Sequence, residues 1–96
     1  MSLADAFEEL RGLFRESTRT RIDEMSRCLD ALETNARDAS ALRVFARHVH
    51  GLAGLGTTYG YPRISELAED AEEQIGRGEI LLERWRASVE EIKREL

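Results

Sequence analysis

One proline, one cysteine, one lysine and six aromatic residues in a chain of 96 define what this sequence lacks. The single cysteine, Cys28, excludes an intrachain disulfide and fits a reducing compartment. It falls beside an apolar helical stripe and reads as a small buried hydrophobe. Scarce proline and few β-branched residues remove the usual helix breakers and strand formers. No apolar run approaches the ~20 residues that span a bilayer, and no charged-then-apolar leader opens the chain. A cytoplasmic domain without membrane contact is therefore expected, free-standing or cut from a longer chain. The net charge is −5, and the basic residues are scattered, so no nucleic-acid footprint is expected. Nucleotide-binding and hydrolase motifs are missing. The two histidines, His48 and His50, stand at i, i+2, point apart on a helix, and have no cysteine or third histidine to complete a metal site.

What is present is helical periodicity. Ninety-six residues support one domain, 1–96, with one modest core. Phe7, Leu10, Phe14, Thr18, Ile22, Met25, Leu29, Leu32 and Ala36 fall on one stripe at the 3.6-residue period. That stripe predicts one long helix or two nearly collinear ones, with any bend in the polar run Arg15 to Arg21. Asn35 to Ser40 reads as a connection in which Asp38 or Ser40 can cap the next helix. The second helix begins near Ala39 and gathers Leu42, Phe45, Ala46, Val49, Leu52 and Ala53 on one face. Thr57 to Tyr61 reads as a loop, and Pro62 suits the first turn of a third helix carrying Ile64, Leu67, Ala68, Ala71 and Ile75. Gly76-Arg77-Gly78 is a stop and turn. A fourth helix carries Leu81, Leu82, Trp85, Val89, Ile92 and Leu96. Four amphipathic segments with short connections predict an all-α fold, an antiparallel up-down four-helix bundle.

Four of the seven glycines crowd into one stretch, as Gly51, Gly54, Gly56 and Gly60, beside both histidines and the only proline. Each glycine inside a helix costs about 1 kcal/mol relative to alanine, so the stretch needs a reason. On the second helix His50 lies well away from the centre of the apolar face. Arg43, Arg47, His50 and Gly54 follow the spacing i, i+4, i+7, i+11 and form one surface stripe. Helical side chains lean toward the N-terminus, so bulk at position 54 would cover the His50 ring. Gly54 leaves the imidazole open, and Gly51 thins the neighbouring surface. An exposed neutral imidazole is a competent nucleophile. Arg43 and Arg47 supply positive charge for an anionic group. Together they read as a histidine that receives a phosphoryl group. His48 faces the opposite flank and reads as structural, and the acidic run Glu66, Glu69, Asp70, Glu72 and Glu73 reads as a solvated face.

The run HGLAGLGTTYGYP, His50 to Pro62, resembles the signature of histidine-containing phosphotransfer (HPt) domains, four-helix bundles of bacterial phosphorelays. The matching positions are His50, Leu52, Gly54, Gly56 and Gly60, with Tyr59 as the aromatic before the last glycine. The resemblance implies that His50 carries phosphate between aspartates of receiver domains, or accepts it from one. It implies a response-regulator receiver domain and a sensor or hybrid histidine kinase as partners of a monomeric carrier with no kinase activity of its own. No cofactor is implied on this chain, because the Mg²⁺ of the transfer step belongs to the receiver. Many family members carry Lys just before the glycine of H-x-x-x-G, where this chain has Ala53; Arg47, one turn earlier, is the candidate replacement. A second register would match His50-Gly51 to that Lys-Gly pair and place Arg47 at the phosphorylated position, giving an inactive domain. Only the first register also places Tyr59 and Gly60. The competing reading is a degenerate HPt domain, or another four-helix interaction module, without phosphotransfer.

Overall fold

A computed structural model describes all 96 residues. Four helices follow one another: α1 Leu3–Thr34, α2 Ala39–Thr58, α3 Pro62–Gly76 and α4 Leu82–Glu95. Their ends follow from local chemistry. Ser2 caps α1 through a reciprocal pair: its hydroxyl accepts from the Asp5 N–H, and the Asp5 carboxylate accepts from the Ser2 N–H. Asp38 caps α2 by accepting from the Ala41 N–H at 3.0 Å. Pro62 sits in the first turn of α3, where its missing N–H costs nothing. Gly78, at φ +77°, takes the left-handed conformation that turns the chain toward α4.

Each helix packs on its neighbours in a closed ring: α1 on α2, α2 on α3, α3 on α4 and α4 back on α1, while the backbones of diagonally opposed helices stay apart. This is the antiparallel up-down four-helix bundle. Phe45 of α2 stacks on Trp85 of α4 at 5.0 Å between ring centroids, and both are fully buried among Leu29, Leu52, Ile64 and Ile92. The Trp85 indole N–H donates to Gln74 Oε1 at 2.8 Å, so the largest core side chain buries its polar atom with a partner. Cys28 is buried, and burial pushes its thiol pKa up. It therefore packs as a hydrophobe rather than reacting as a thiolate. No helix is long and apolar enough to cross a membrane.

Of the two forms the sequence allows for the first stripe, one long helix or two nearly collinear ones, the structure takes the first. α1 is one helix, uninterrupted through Arg15 to Arg21. That run holds no glycine or proline; Glu16, Ser17, Arg19 and Thr20 are exposed, Arg15 and Arg21 are half-buried, and Thr18 is buried. The apolar stripe is covered only from Phe14 onward, while Phe7 and Leu10 remain 43% and 47% exposed. At 1.5 Å per residue α1 is about 48 Å long and α2 about 30 Å, and the molecule measures 49 × 21 × 20 Å. The first turns of α1 thus extend past the end of the bundle. Ala36 leaves the stripe altogether and lies exposed in the α1–α2 connection. Thr57 and Thr58 belong to α2 rather than to a loop, because the Ser65 hydroxyl accepts from the Thr57 N–H at 2.7 Å and holds the last turn against α3.

Candidate functional site

The solvent face of α2 forms a ridge. Arg43, Arg47, His50 and Gly54 are all exposed along it, and neither arginine has an ion-pair partner. α2 contains no acidic residue from end to end. The His50 side chain is 81% exposed, and its Nδ1 meets Glu72 Oε2 of α3 at 2.5 Å. An ionised carboxylate only accepts, so Nδ1 carries the proton in this contact, and in the neutral ring Nε2 keeps its lone pair. Nothing else in the structure partners the ring. The arrangement presents a tethered imidazole with its free nitrogen toward solvent, beside uncompensated positive charge.

Glu72 was read from sequence as one of five acidic residues on a solvated face. Three of the others do pair with arginines: Glu66 with Arg63, Asp70 with Arg84 and Glu73 with Arg77. Glu72 instead turns to the histidine. The signal was present in the chain. His50 and Glu72 each stand eleven residues from Tyr61, the last residue of the α2–α3 connection. Residues equidistant from the turn of an antiparallel helical hairpin lie level with each other.

His48 has a different setting. Its side chain is only 14% exposed, between α1 and α2. Nδ1 accepts from Arg21 Nη1 at 3.1 Å. Nε2 lies 3.1 Å from the Glu24 carboxylate but off the line of a hydrogen bond, so the contact is close without being well directed. This histidine is enclosed by α1 and has no open face.

The glycines separate by environment. A Cβ at Gly54 would meet nothing within 4 Å, so neither packing nor backbone geometry demands glycine there. A Cβ at Gly56 would stand 2.6 Å from Ser65 Oγ, 2.8 Å from Ser65 N and 2.9 Å from the Tyr61 carbonyl, so this glycine lets α3 approach. Gly60 adopts φ +86°, and its turn is clamped from α1: Arg11 Nε donates to the Tyr59 carbonyl at 2.8 Å, while Phe14 stacks on Tyr59 and Tyr61 at 5.2 and 5.5 Å. At Gly51 the surface is not merely thinned: the Arg21 guanidinium fills the space a side chain would need. Ala53 packs against the core and brings no charge to the ridge. No three His, Cys, Asp or Glu side chains gather closely enough to hold a metal ion.

No curated protein and no solved structure matched this chain. The family model described as Hpt domain matches residues 9–96, from the second turn of α1 to the last residue. With a four-helix bundle and a family match over nearly its whole length, the chain belongs to the Hpt domains, the histidine phosphotransfer carriers of phosphorelays.

Proposed function

We propose that His50 is the phosphorylated residue and exchanges its phosphoryl group with an aspartate of a response-regulator receiver domain. The observation that carries this reading is the tether: an exposed imidazole whose Nδ1–H is held by Glu72 while Nε2 faces solvent. In the forward step the Nε2 lone pair attacks the phosphorus of the receiver's aspartyl phosphate. The N–P bond forms, the bond from phosphorus to the aspartyl oxygen breaks, and the aspartate leaves as a carboxylate. The Nδ1 proton stays where it is, and the phosphorylated ring gains positive charge. Glu72, already bonded to Nδ1, lies against that charge, and Arg47 and Arg43 on the same stripe face the phosphoryl oxygens. The receiver supplies the Mg²⁺ that offsets charge on the transferring group. Ala53 leaves the usual lysine position neutral, so in this chain the arginines N-terminal to His50 carry the cationic role.

The direct experiment mixes the domain with a receiver phosphorylated by acetyl phosphate and follows acid-labile phosphate on the protein. Wild type and His48→Gln become labelled, and His50→Gln does not. Labelling that persists in His50→Gln removes the assignment. A wild type that binds phosphorylated receivers without ever being labelled favours the interaction-module reading instead.

A further inference from the structure

Beside the ridge of α2, on its α1 flank, lies a cation that α2 does not itself supply. Arg21 reaches over from α1 and lies against the α2 backbone at Gly51. A methyl group at residue 51 would stand 2.9 Å from Arg21 Nη1, 3.2 Å from Cζ and 3.3 Å from Nη2. Such distances require something to move, so the glycine is the seat on which the guanidinium rests. From the other side, Nη1 donates to His48 Nδ1 at 3.1 Å. Accepting there places the proton of the neutral ring on Nε2, facing Glu24.

The pairing of Arg21 is unusual within this chain. Four arginines are half-buried: Arg11, Arg15, Arg21 and Arg86. Arg11 pairs with Glu8, Arg86 with Asp30 and Glu33, and Arg15 donates to the Tyr61 hydroxyl. Arg21 alone has neither a carboxylate nor a hydroxyl; its partner is a neutral ring nitrogen. A guanidinium offers five N–H donors in a planar fork shaped for a carboxylate. Partly desolvating it without an opposite charge costs free energy. Gly51, one residue along the chain from His50, and His48 thus hold in place a cation that has no carboxylate of its own.

We propose that Arg21 is a docking residue that binds a carboxylate on the surface of the receiver domain whose phosphoryl group His50 exchanges, with Gly51 as its seat and His48 as its brace. The inference rests on the assignment of His50 as the carrier. Gly51 faces the α1 flank of α2 and His50 the α3 flank, so Arg21 contacts the partner's surface and not the transferred group. Its effect belongs in KM rather than kcat.

The test measures phosphotransfer from a receiver domain phosphorylated by acetyl phosphate and Mg²⁺, at varied receiver concentration and two salt levels. Wild type, Arg21→Gln, Arg21→Lys and Gly51→Ala are compared. Arg21→Gln raises KM roughly tenfold at low salt with kcat unchanged, and its KM depends less on salt than that of wild type. Gly51→Ala raises KM in the same direction by displacing the guanidinium, although alanine is the better helix former. Arg21→Lys keeps the charge, loses the fork and falls between. A wild type that no phosphorylated receiver labels overturns the His50 assignment and this inference with it. A labelled wild type with Arg21→Gln unchanged in KM and salt slope overturns this inference alone. So does an Arg21→Gln variant that loses thermal midpoint or kcat at constant KM, since Arg21 would then only join α1 to α2.

Discussion

At the scale of single residues, three positions on or beside α2 carry opposite expectations. Gly54 has open space around it, so Gly54→Ala stabilises the domain by up to about 1 kcal/mol through helix propensity alone. Gly54→Arg keeps the fold but lays a side chain over His50 and blocks transfer; thermal midpoint and transfer rate on the same variants separate the two effects. Gly56 is the reverse case. Its Cβ would collide with the Ser65 and Tyr61 backbone as well as the Ser65 hydroxyl, and backbone cannot rotate away. Gly56→Ala therefore destabilises by about 1 to 3 kcal/mol, typical of overpacking, and denaturant unfolding reads it. Substitution of Glu72 is expected to act on transfer rather than on stability. The pair is largely exposed, and surface pairs contribute about 0 to 1 kcal/mol, so Glu72→Ala slows transfer to His50 by up to about fivefold. Glu72→Gln can still accept from Nδ1 and loses less. Equal rates for wild type and Glu72→Ala would show that the tether does not select the reactive nitrogen.

At the scale of elements, the hydrophobic period made all four helices legible, and the turn residues Asp38, Pro62 and Gly78 located their joins. Periodicity was less informative about cover. Phe7 and Leu10 continue the α1 stripe without a break, yet both are left exposed, Leu10 at an open groove shared with Leu55 and Tyr59. A wheel describes one helix and carries no information about where its neighbours end. For the same reason the stripe placed His50, Arg43, Arg47 and Gly54 together on α2, while Glu72 and Arg21, which arrive from α3 and α1, were missed. The α1 overhang gives a direct test. Removing Met1 to Glu8 deletes exposed turns and one surface ion pair, while Arg11 and Phe14 stay on the α2–α3 turn. Surface pairs contribute about 0 to 1 kcal/mol. The truncated domain keeps its cooperative transition, with a midpoint lowered by less than about 8 °C. A larger loss, measured by thermal circular dichroism, would mean that the overhang is covered in solution.

For the whole molecule, the net charge of −5 hides a division by face. α3 holds five acidic residues, most of them paired to arginines, whereas α2 has two exposed arginines and no acid. An acidic partner is repelled by the molecule as a whole and attracted by one ridge. That combination favours one orientation of approach, because exposed charges act mainly on encounter. Replacing Arg43 and Arg47 together with alanine leaves helicity unchanged and slows phosphotransfer by about tenfold at low ionic strength. The loss shrinks at high salt, where the Debye length falls to about 3 Å at 1 M. Arg37→Ala with Arg94→Ala is the matched control: both residues are exposed without ion pairs, and the net charge changes equally. If transfer depends on the ridge, the control pair transfers near the wild-type rate at either salt level. If both pairs slow transfer alike, the partner senses only total charge, and Arg43 and Arg47 have no directing role.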